Sequence, residues 1–84
     1  MKPVDDRYQL VLLDIVELFT EDAFSISNEL DSEGSMLIEI AVSGSDAGKL
    51  IGSQGRNIRT LEELMRAATK GQFTSLTIKA VPYD

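Results

Sequence analysis

The spacing of hydrophobic residues changes repeatedly along this chain, between every third or fourth residue and every second residue. The first spacing places apolar side chains on one face of a helix, and the second places them on one face of a strand. The chain must therefore combine helices with a sheet, each covering the apolar face of the other. Its 84 residues suffice for a single hydrophobic core, so we expect one domain over residues 1–84.

The first apolar pattern predicts an amphipathic helix over residues 5–20. Its predicted core face consists of Tyr8, Val11, Leu12, Ile15, Val16, Leu18 and Phe19. Asp5 or Asp6 is expected to cap the start, where the positive end of the helix dipole favours a carboxylate. Leu10 and Leu13 fall on the polar side, where they indicate either a contact with a partner or a differently packed helix.

Alternating apolar residues predict an antiparallel hairpin with strands over residues 24–30 and 36–42, joined by a glycine-containing turn at 31–34. A third strand is predicted over residues 73–81, ended by Pro82. The apolar members of the three patterns are Phe24, Ile26, Leu30, Met36, Ile38, Ile40, Val42, Leu76, Ile78 and Ala80. The three strands are expected to be half buried, with these side chains against the helices.

Two helices are predicted between the hairpin and the last strand, a short one over residues 47–51 and a longer one over 56–70. Ser45 or Asp46 is expected to cap the short helix, and Gly71 to end the long one. The apolar face of the long helix is predicted to contain Ile58, Leu61, Leu64, Met65 and Ala68. The order α-β-β-α-α-β predicts an α+β fold with the helices packed on one face of a three-stranded sheet.

Charge divides the chain into two unequal parts. Residues 1–47 contain eleven acidic and two basic residues, whereas residues 48–84 contain three acidic and six basic residues. The net charge of −6 therefore hides a basic C-terminal part. Because salt screens charges over about 8 Å, a local basic patch can act apart from distant acids. This asymmetry permits a polyanionic partner despite the acidic total.

The sequence lacks the groups that most enzyme and metal sites use. It has no cysteine and no histidine, which excludes disulfides, Cys/His zinc sites, thiol nucleophiles and a Ser-His-Asp triad. Asp14, Glu17 and Glu21 share one side of the first helix, but a solvated face explains them better than a metal site. No apolar run approaches the roughly 20 residues that span a bilayer, and the N-terminus lacks the plan of a signal peptide. We expect a cytoplasmic protein that is not an enzyme and uses no cofactor, metal or membrane.

The most informative segment surrounds Gly52 and Gly55, which lie three residues apart between the two predicted helices. Without side chains there, another backbone can approach closely, and N–H groups at the helix start favour an anion. Lys49, Arg56 and Arg59 surround the turn, and this chemistry suits a nucleic-acid phosphate. Taken alone, the two glycines are better explained as a helix cap followed by an ordinary tight turn.

Together with Ile51 and Ile58, however, the glycines form the pattern I-G-x-x-G-x-x-I, which resembles the GXXG loop of the KH domain. The predicted element order resembles the type II arrangement of that fold, over nearly the whole chain. The segment 45–56 is similar to small bacterial single-KH-domain proteins of the KhpA type. This resemblance implies an RNA chaperone or post-transcriptional regulator whose loop clamps about four nucleotides of single-stranded RNA. It also implies a homodimer, or a heterodimer with a larger Jag-type KH-containing protein.

The residues predicted to bind RNA are Lys49, Ile51, Gly52, Ser53, Gln54, Gly55, Arg56, Ile58 and Arg59. Ser53 and Gln54 are uncharged, although KH domains usually carry a lysine or arginine in this pair, so we expect weak, micromolar binding. Sequence preference should also be weak, because the loop reads phosphate and sugar. By the same resemblance, Leu50, Ile51 and Ile58 would line or support an apolar groove for bases. For Ile58, support from within the core is the better explanation.

Other bases on the long helix are better explained as part of a solvated face. The spacing predicts ion pairs between Arg59 and Glu63 and between Glu62 and Arg66, and Lys70 lies on the same polar side. A second hypothesis for the function also stays open. In this alternative, the KH fold is kept, but the uncharged loop and the acidic surface have lost most of the RNA affinity. Dimerisation or binding of a larger partner would then be its role.

Overall fold

The computed structural model describes residues 7–84, which form three helices and a three-stranded sheet. In chain order, the elements are α1 (Arg7–Phe19), β1 (Ser25–Leu30), β2 (Ser35–Val42), α2 (Gly44–Ile51), a 3₁₀ turn (Ser53–Gly55), α3 (Arg56–Thr69) and β3 (Ser75–Pro82). The α+β class and the order α-β-β-α-α-β are confirmed. The predicted caps Asp5 and Asp6 lie outside the described residues. None of the helices in residues 7–84 is long and apolar enough to cross a membrane.

The sheet is mixed, with β2 in the centre. β1 and β2 form the predicted antiparallel hairpin, whereas β3 runs parallel to β2 on its other side. At the middle of the sheet, Ile38 of β2 lies opposite Asn28 of β1 and Ile78 of β3. Parallel strands require a long crossover connection, and α2, the 3₁₀ turn and α3 supply it. The loop between the two helices is therefore part of this crossover.

One face of the sheet carries the core, as the alternation predicts. Along β2, fully buried residues alternate with half-buried ones, because every second side chain points toward the helices. The buried apolar side chains are Tyr8, Leu12, Val16, Met36, Ile38, Ile40, Val42, Ala47, Leu50, Leu61, Met65, Leu76 and Ile78. All three helices contribute to this set, so the core fixes α2 and α3 against the sheet.

The buried faces of the helices are narrower than predicted. The residues expected in the core but found exposed are Val11, Leu18, Phe19, Leu30, Leu64 and Ala68. α1 buries one row of residues four apart, namely Tyr8, Leu12 and Val16, with Ile15 half-buried beside them. Since a single layer of helices covers one side of a small sheet, each helix contacts the core along a stripe rather than a wide face.

The start of α2 also differs from the prediction. The helix begins at Gly44 because Ser43, rather than Ser45 or Asp46, is its N-cap. The hydroxyl of Ser43 accepts a hydrogen bond from the N–H of Asp46 at 3.2 Å. At the end of α3, Lys70 takes the left-handed conformation with φ 48°, so the helix ends at Thr69, one residue earlier than predicted.

Glu62 and Arg66 contact β3 instead of each other, so the predicted ion pair between them is wrong. Arg66 Nη2 donates to the Leu76 carbonyl at 3.0 Å, and Glu62 Oε2 accepts from the N–H of Ile78 at 2.9 Å. Within the described residues, Arg59 forms no ion pair with a glutamate of α3 either. The outward backbone groups of β3 have no neighbouring strand to pair with, so they bind the side chains of Glu62 and Arg66 in place of the predicted ion pair.

Candidate nucleic-acid interface

The predicted glycine loop is a tight turn between α2 and α3. α2 ends where Gly52 takes φ 72° and ψ 177°, a backbone region that is essentially restricted to glycine. Gln54 and Gly55 follow in the left-handed region, with φ 57° and 74°. Ser53 and Gln54 are exposed at the tip, and α3 begins at Arg56. The turn therefore presents two small polar residues at its outermost point.

The N–H groups of the loop divide into paired and free ones. The N–H of Gly55 donates to the carbonyl of Gly52 at 3.2 Å. The N–H of Arg56 donates to the carbonyl of Ser53. Those of Ser53 and Gln54 have no partner in the described part of the chain. The amides available to an anion thus lie at the tip of the turn rather than at the first residue of α3.

Asn57 holds the loop in position, although the sequence analysis did not include it among the site residues. Its side-chain amide donates to the carbonyl of Lys49 at 2.9 Å, which satisfies a carbonyl at the end of α2. The same side chain fills the space beside Gly52, where an added Cβ would lie 2.7 Å from Asn57 Cγ. Asparagine is a poor helix former, so its place in the first turn of a helix was the signal in the sequence.

Lys49 lies beside the loop but faces two carboxylates. Its Nζ is 3.2 Å from Glu21 Oε1 and 3.8 Å from Asp46 Oδ1. The lysine side chain is 44% exposed, so a further anion can still reach it. The helical spacing predicted that Glu21 lies on a solvated helix face with Asp14 and Glu17. The structure instead places Glu21 beyond the end of α1, in contact with Lys49.

Asp46 is the buried carboxylate on this side of the loop. It accepts hydrogen bonds from the N–H of Asp22 at 3.0 Å and from the N–H of Glu21 at 3.1 Å. The bond from Asp22 holds the pKa of Asp46 below its usual value; burial opposes this shift, and the N–H of Glu21 reinforces it. Asp46 thereby ties the segment between α1 and β1 to the first turn of α2, and this places Glu21 beside Lys49.

The remaining predicted site residues differ in exposure. Arg56 and Arg59 are exposed on the first turns of α3, next to the loop. Ile51 is 38% exposed at the end of α2, whereas Leu50 is buried and Ile58 is half-buried against the core. Of these three apolar residues, Ile51 alone offers a surface beside the loop. Leu50 and Ile58 support the loop from within the core.

A shallow depression of about 380 Å³ adjoins the loop on the side of α1. Its lining includes Leu18 and Phe19, which were predicted to be core, together with Lys49, Glu21 and Gly52. The depression therefore combines apolar groups with a charged pair beside the backbone of the turn. A flat apolar and polar surface of this kind can accommodate a base next to a bound phosphate.

The basic surface does not continue along α3. Arg66 is bound to the carbonyl of Leu76, and Lys70 is the left-handed residue that ends the helix. The bases beside the loop are therefore Lys49, Arg56 and Arg59. In the part of the chain that the structure describes, no three His, Cys, Asp or Glu side chains group as metal ligands.

A central strand paired antiparallel to one neighbour and parallel to the other, with a glycine turn in the helical crossover, defines the type II KH fold. The chain belongs to the KhpA/KhpB KH-domain family, whose model matches residues 9–79. It is 42% identical over 53 residues to the RNA-binding protein KhpA of Thermotoga maritima, a match that covers 63% of this chain and 69% of that protein. No solved structure gives a significant match.

Proposed function

We propose that this chain is a non-catalytic RNA-binding protein that holds single-stranded RNA at the loop of residues 52–55. The observation that carries the proposal is the exposed tip of the loop, where the N–H groups of Ser53 and Gln54 have no partner among residues 7–84. Arg56 and Arg59 supply positive charge beside it. The similar protein of Thermotoga maritima, which is named an RNA-binding protein, supports the same function.

The loop reads the sugar–phosphate chain in this proposal. Phosphate oxygens accept hydrogen bonds from the free amides at the tip and from the side chains of Ser53 and Gln54. Arg56 and Arg59 add charge-assisted contacts, which are stronger than neutral hydrogen bonds. Ile51 packs against a base or ribose at the edge of the loop. Because phosphate and sugar are the same at every nucleotide, sequence preference is weak.

Negative charge in the loop tests the site. In the variant Ser53→Asp/Gln54→Asp, each carboxylate would repel a phosphate, and we expect at least about tenfold weaker binding of short single-stranded RNAs. The matched control Ser53→Asn/Gln54→Asn has nearly the same shape without the charge, and asparagine suits the left-handed position 54. Fluorescence anisotropy gives the affinities, and circular dichroism verifies the fold. If the two variants bind RNA equally well, the loop is not the site.

We further propose a cytoplasmic role as an RNA chaperone or post-transcriptional regulator. A small binding module with weak sequence preference, and without the groups of a nuclease, suits a protein that accompanies many RNAs. Ultraviolet crosslinking in cells, followed by sequencing of the recovered RNA, tests this role. Many mRNAs or small RNAs in the recovered set would support it. The role would be contradicted if the wild-type protein crosslinked no more RNA than the Ser53→Asp/Gln54→Asp variant does.

A second candidate function is protein interaction, because α1 and α3 expose apolar side chains along their junction. Leu64 of α3 is 51% exposed and Phe19 of α1 is 37% exposed. A depression of about 200 Å³ between the two helices is lined partly by Ile15 and Phe19. An apolar surface of this kind suits a second copy of the chain or a larger Jag-type KH-containing protein.

Light scattering with parallel RNA titration separates the two functions. A stable dimer that Leu64→Glu converts to a monomer, with no RNA binding by either form, would favour the interaction module. Leu64 is half exposed, so the added charge does not enter the core. A Leu30→Glu variant is the control, since Leu30 is equally exposed at 51% but lies on β1.

A further inference from the structure

The two edges of the sheet differ in whether other parts of the chain bind their outward backbone groups. On the β3 edge, side chains of α3 bind the outward backbone groups. Arg66 donates to the carbonyl of Leu76, and Glu62 accepts from the N–H of Ile78. These contacts occupy two outward backbone groups of β3 and so obstruct the pairing of another strand at that edge.

The β1 edge has no such cover in the described residues. At the hairpin turn, the N–H of Asp31 donates to the carbonyl of Ser35 at 3.0 Å. In an antiparallel pair, successive residues direct their backbone N–H and carbonyl groups alternately toward and away from the neighbouring strand. The β1 residues that lie an even number of positions from Asp31 therefore direct these groups toward β2. Ile26, Asn28 and Leu30 therefore direct their N–H and carbonyl groups outward. Within residues 7–84, nothing binds these groups.

An apolar groove runs beside this open edge. It has a volume of about 220 Å³ and lies between α1 and β1, lined by Gln9, Leu10, Leu12, Leu13, Ile26 and Asn28. Leu10 is 65% exposed and Leu13 is 38% exposed. The two leucines on the polar side of α1 therefore form an accessible wall of this groove. In an added strand, every second side chain would point toward the helix side of the sheet and into this groove.

The charge of the surrounding chain determines which partner fits. Residues 7–46, which contain α1 and both strands of the hairpin, have nine acidic residues and one basic residue, Arg7 at the start of α1. Glu17 lies one helical turn after Leu13 on the same side of α1, and Glu29 lies on β1 itself. A polyanion would be repelled, and a second copy would bring an equally acidic surface to the edge. An extended peptide with basic residues has the complementary charge.

We propose that the outer edge of β1 binds an extended basic peptide by strand addition. The backbone of the peptide pairs with Ile26, Asn28 and Leu30. Its apolar side chains enter the groove beside Leu10 and Leu13, and its basic side chains meet the acidic surroundings. Backbone pairing provides the affinity, while the groove and the charge provide the specificity. The proposal does not depend on RNA binding at residues 52–55.

A capped peptide of alternating lysine and valine is the probe. We expect it to bind the full chain in fluorescence anisotropy and to slow hydrogen exchange at the amides of Ile26, Asn28 and Leu30. The glutamate–valine peptide, which has the same backbone and the opposite charge, should bind at least about tenfold more weakly. The lysine–valine peptide with an N-methyl group on every amide should also lose about tenfold, because neither of its edges can donate hydrogen bonds to β1.

Asn28→Pro tests the edge on the protein side. The N–H of Asn28 points outward, so proline leaves the ladder with β2 intact but blocks an added strand. We expect about tenfold weaker peptide binding, with an Asn28→Thr control near wild type. Should the proline variant unfold, Leu10→Ser/Leu13→Ser changes exposed groove residues and should weaken binding similarly.

Several results would overturn the proposal. One is equal binding of the lysine–valine and glutamate–valine peptides. Another is unchanged hydrogen exchange at the amides of Ile26, Asn28 and Leu30 when the lysine–valine peptide is added. A third is protection of these amides by a second copy of the chain or by RNA. RNA binding of the Asn28→Pro variant is measured in parallel. Because the edge and the loop are separate, retained RNA binding with lost peptide binding is the expected combination.

Discussion

Gly52 and Asn57 depend on each other at the scale of single residues. The glycine has a backbone conformation that side chains disfavour, and its missing Cβ leaves the space that the Asn57 side chain occupies. Asn57 then bonds to the carbonyl of Lys49 and fixes the last turn of α2 against the first turn of α3. Gly55 is less constrained, since an added Cβ would meet only Ile58 Cγ2, at 3.9 Å.

The two glycines of the loop should therefore differ in their tolerance of substitution. We expect Gly52→Ala to lower the free energy of unfolding by about 1–3 kcal/mol, from the strained backbone alone. The clash with Asn57 adds to this loss. Gly55→Asn should cost less, because asparagine tolerates the left-handed region. Urea unfolding of both variants measures the difference, and equal losses would contradict the assigned role of Asn57.

In the proposed RNA complex, Glu21 would compete with phosphate for Lys49, because its carboxylate lies 3.2 Å from the lysine Nζ. Removing its charge with Glu21→Gln should free the ammonium group and raise the affinity for single-stranded RNA about two- to fivefold, the range of a surface ion pair. Glu17→Gln is a matched control, because it removes the same charge from α1 without touching Lys49. Anisotropy titrations compare the two variants. An equal gain in both would mean that total charge, not the ion pair, sets the affinity.

At the scale of elements, α2 is a short helix whose two ends are held by contacts with residues outside it. Its N-terminus is capped by Ser43, and the N–H of Gly44 donates to the carboxylate of Asp84 at 2.7 Å. Its C-terminal end is held by Asn57. An isolated helix of this length is not stable in water, so these contacts and the buried Ala47 and Leu50 determine its position.

Gly48 is the weak point within α2. An added Cβ there meets no atom within 4 Å, and the residue is helical, so nothing in the described chain requires glycine. We expect Gly48→Ala to raise the free energy of unfolding by about 0.5–1 kcal/mol. Thermal and urea unfolding give this value. A loss of stability in the variant would show that the helix surface at this position is not free.

Asp46 makes the connection between α1 and α2 sensitive to acid. Its pKa in the fold lies below its unfolded value, mainly because the N–H of Asp22 binds the carboxylate. The stabilisation is therefore complete above the unfolded pKa, about 3.9, and disappears as the pH falls through the lower folded value. We expect Asp46→Asn to be destabilised at neutral pH, with a smaller difference from wild type in strong acid. Melting curves at a series of acidic pH values test this. A constant difference would contradict it.

At the scale of the whole molecule, charge separates two surfaces. Nine of the fourteen acidic residues lie within residues 14–46, and the bases beside the loop lie on α2 and α3. RNA is expected to approach from the loop side because the opposite side repels it. The same separation leaves the β1 edge to a partner of opposite charge.

The salt dependence of RNA binding reports how many phosphates the molecule contacts. With about 2–4 phosphates at an uncharged loop tip, log K should fall against log salt with a slope of about −1.5 to −3. Titrations between about 50 and 200 mM salt measure this slope. A Gln54→Lys variant is expected to make the slope more negative by about 0.7, the contribution of one further phosphate contact on a single strand. A much steeper slope in the wild type would indicate a more extensive basic surface than residues 49–59.

The local pattern was sufficient to predict the element order, the inward residues of β2 and the glycine turn at residues 52–55. It could not show that β3 lies parallel to β2, because strand pairing depends on which elements meet in space. The contacts of Asn57 and Glu21 were missed for the same reason: each bonds to a residue on another element.

The sequence alone determined which segments form helices, strands and turns, since the spacing of apolar residues and the positions of glycine act through local backbone geometry. The tertiary structure alone decided which faces are buried, which edge of the sheet is sealed and which lysine is paired. Those outcomes depend on contacts between residues far apart in the chain, such as Arg66 with Leu76 and Lys49 with Glu21. They exist only after the single layer of helices has packed on the sheet.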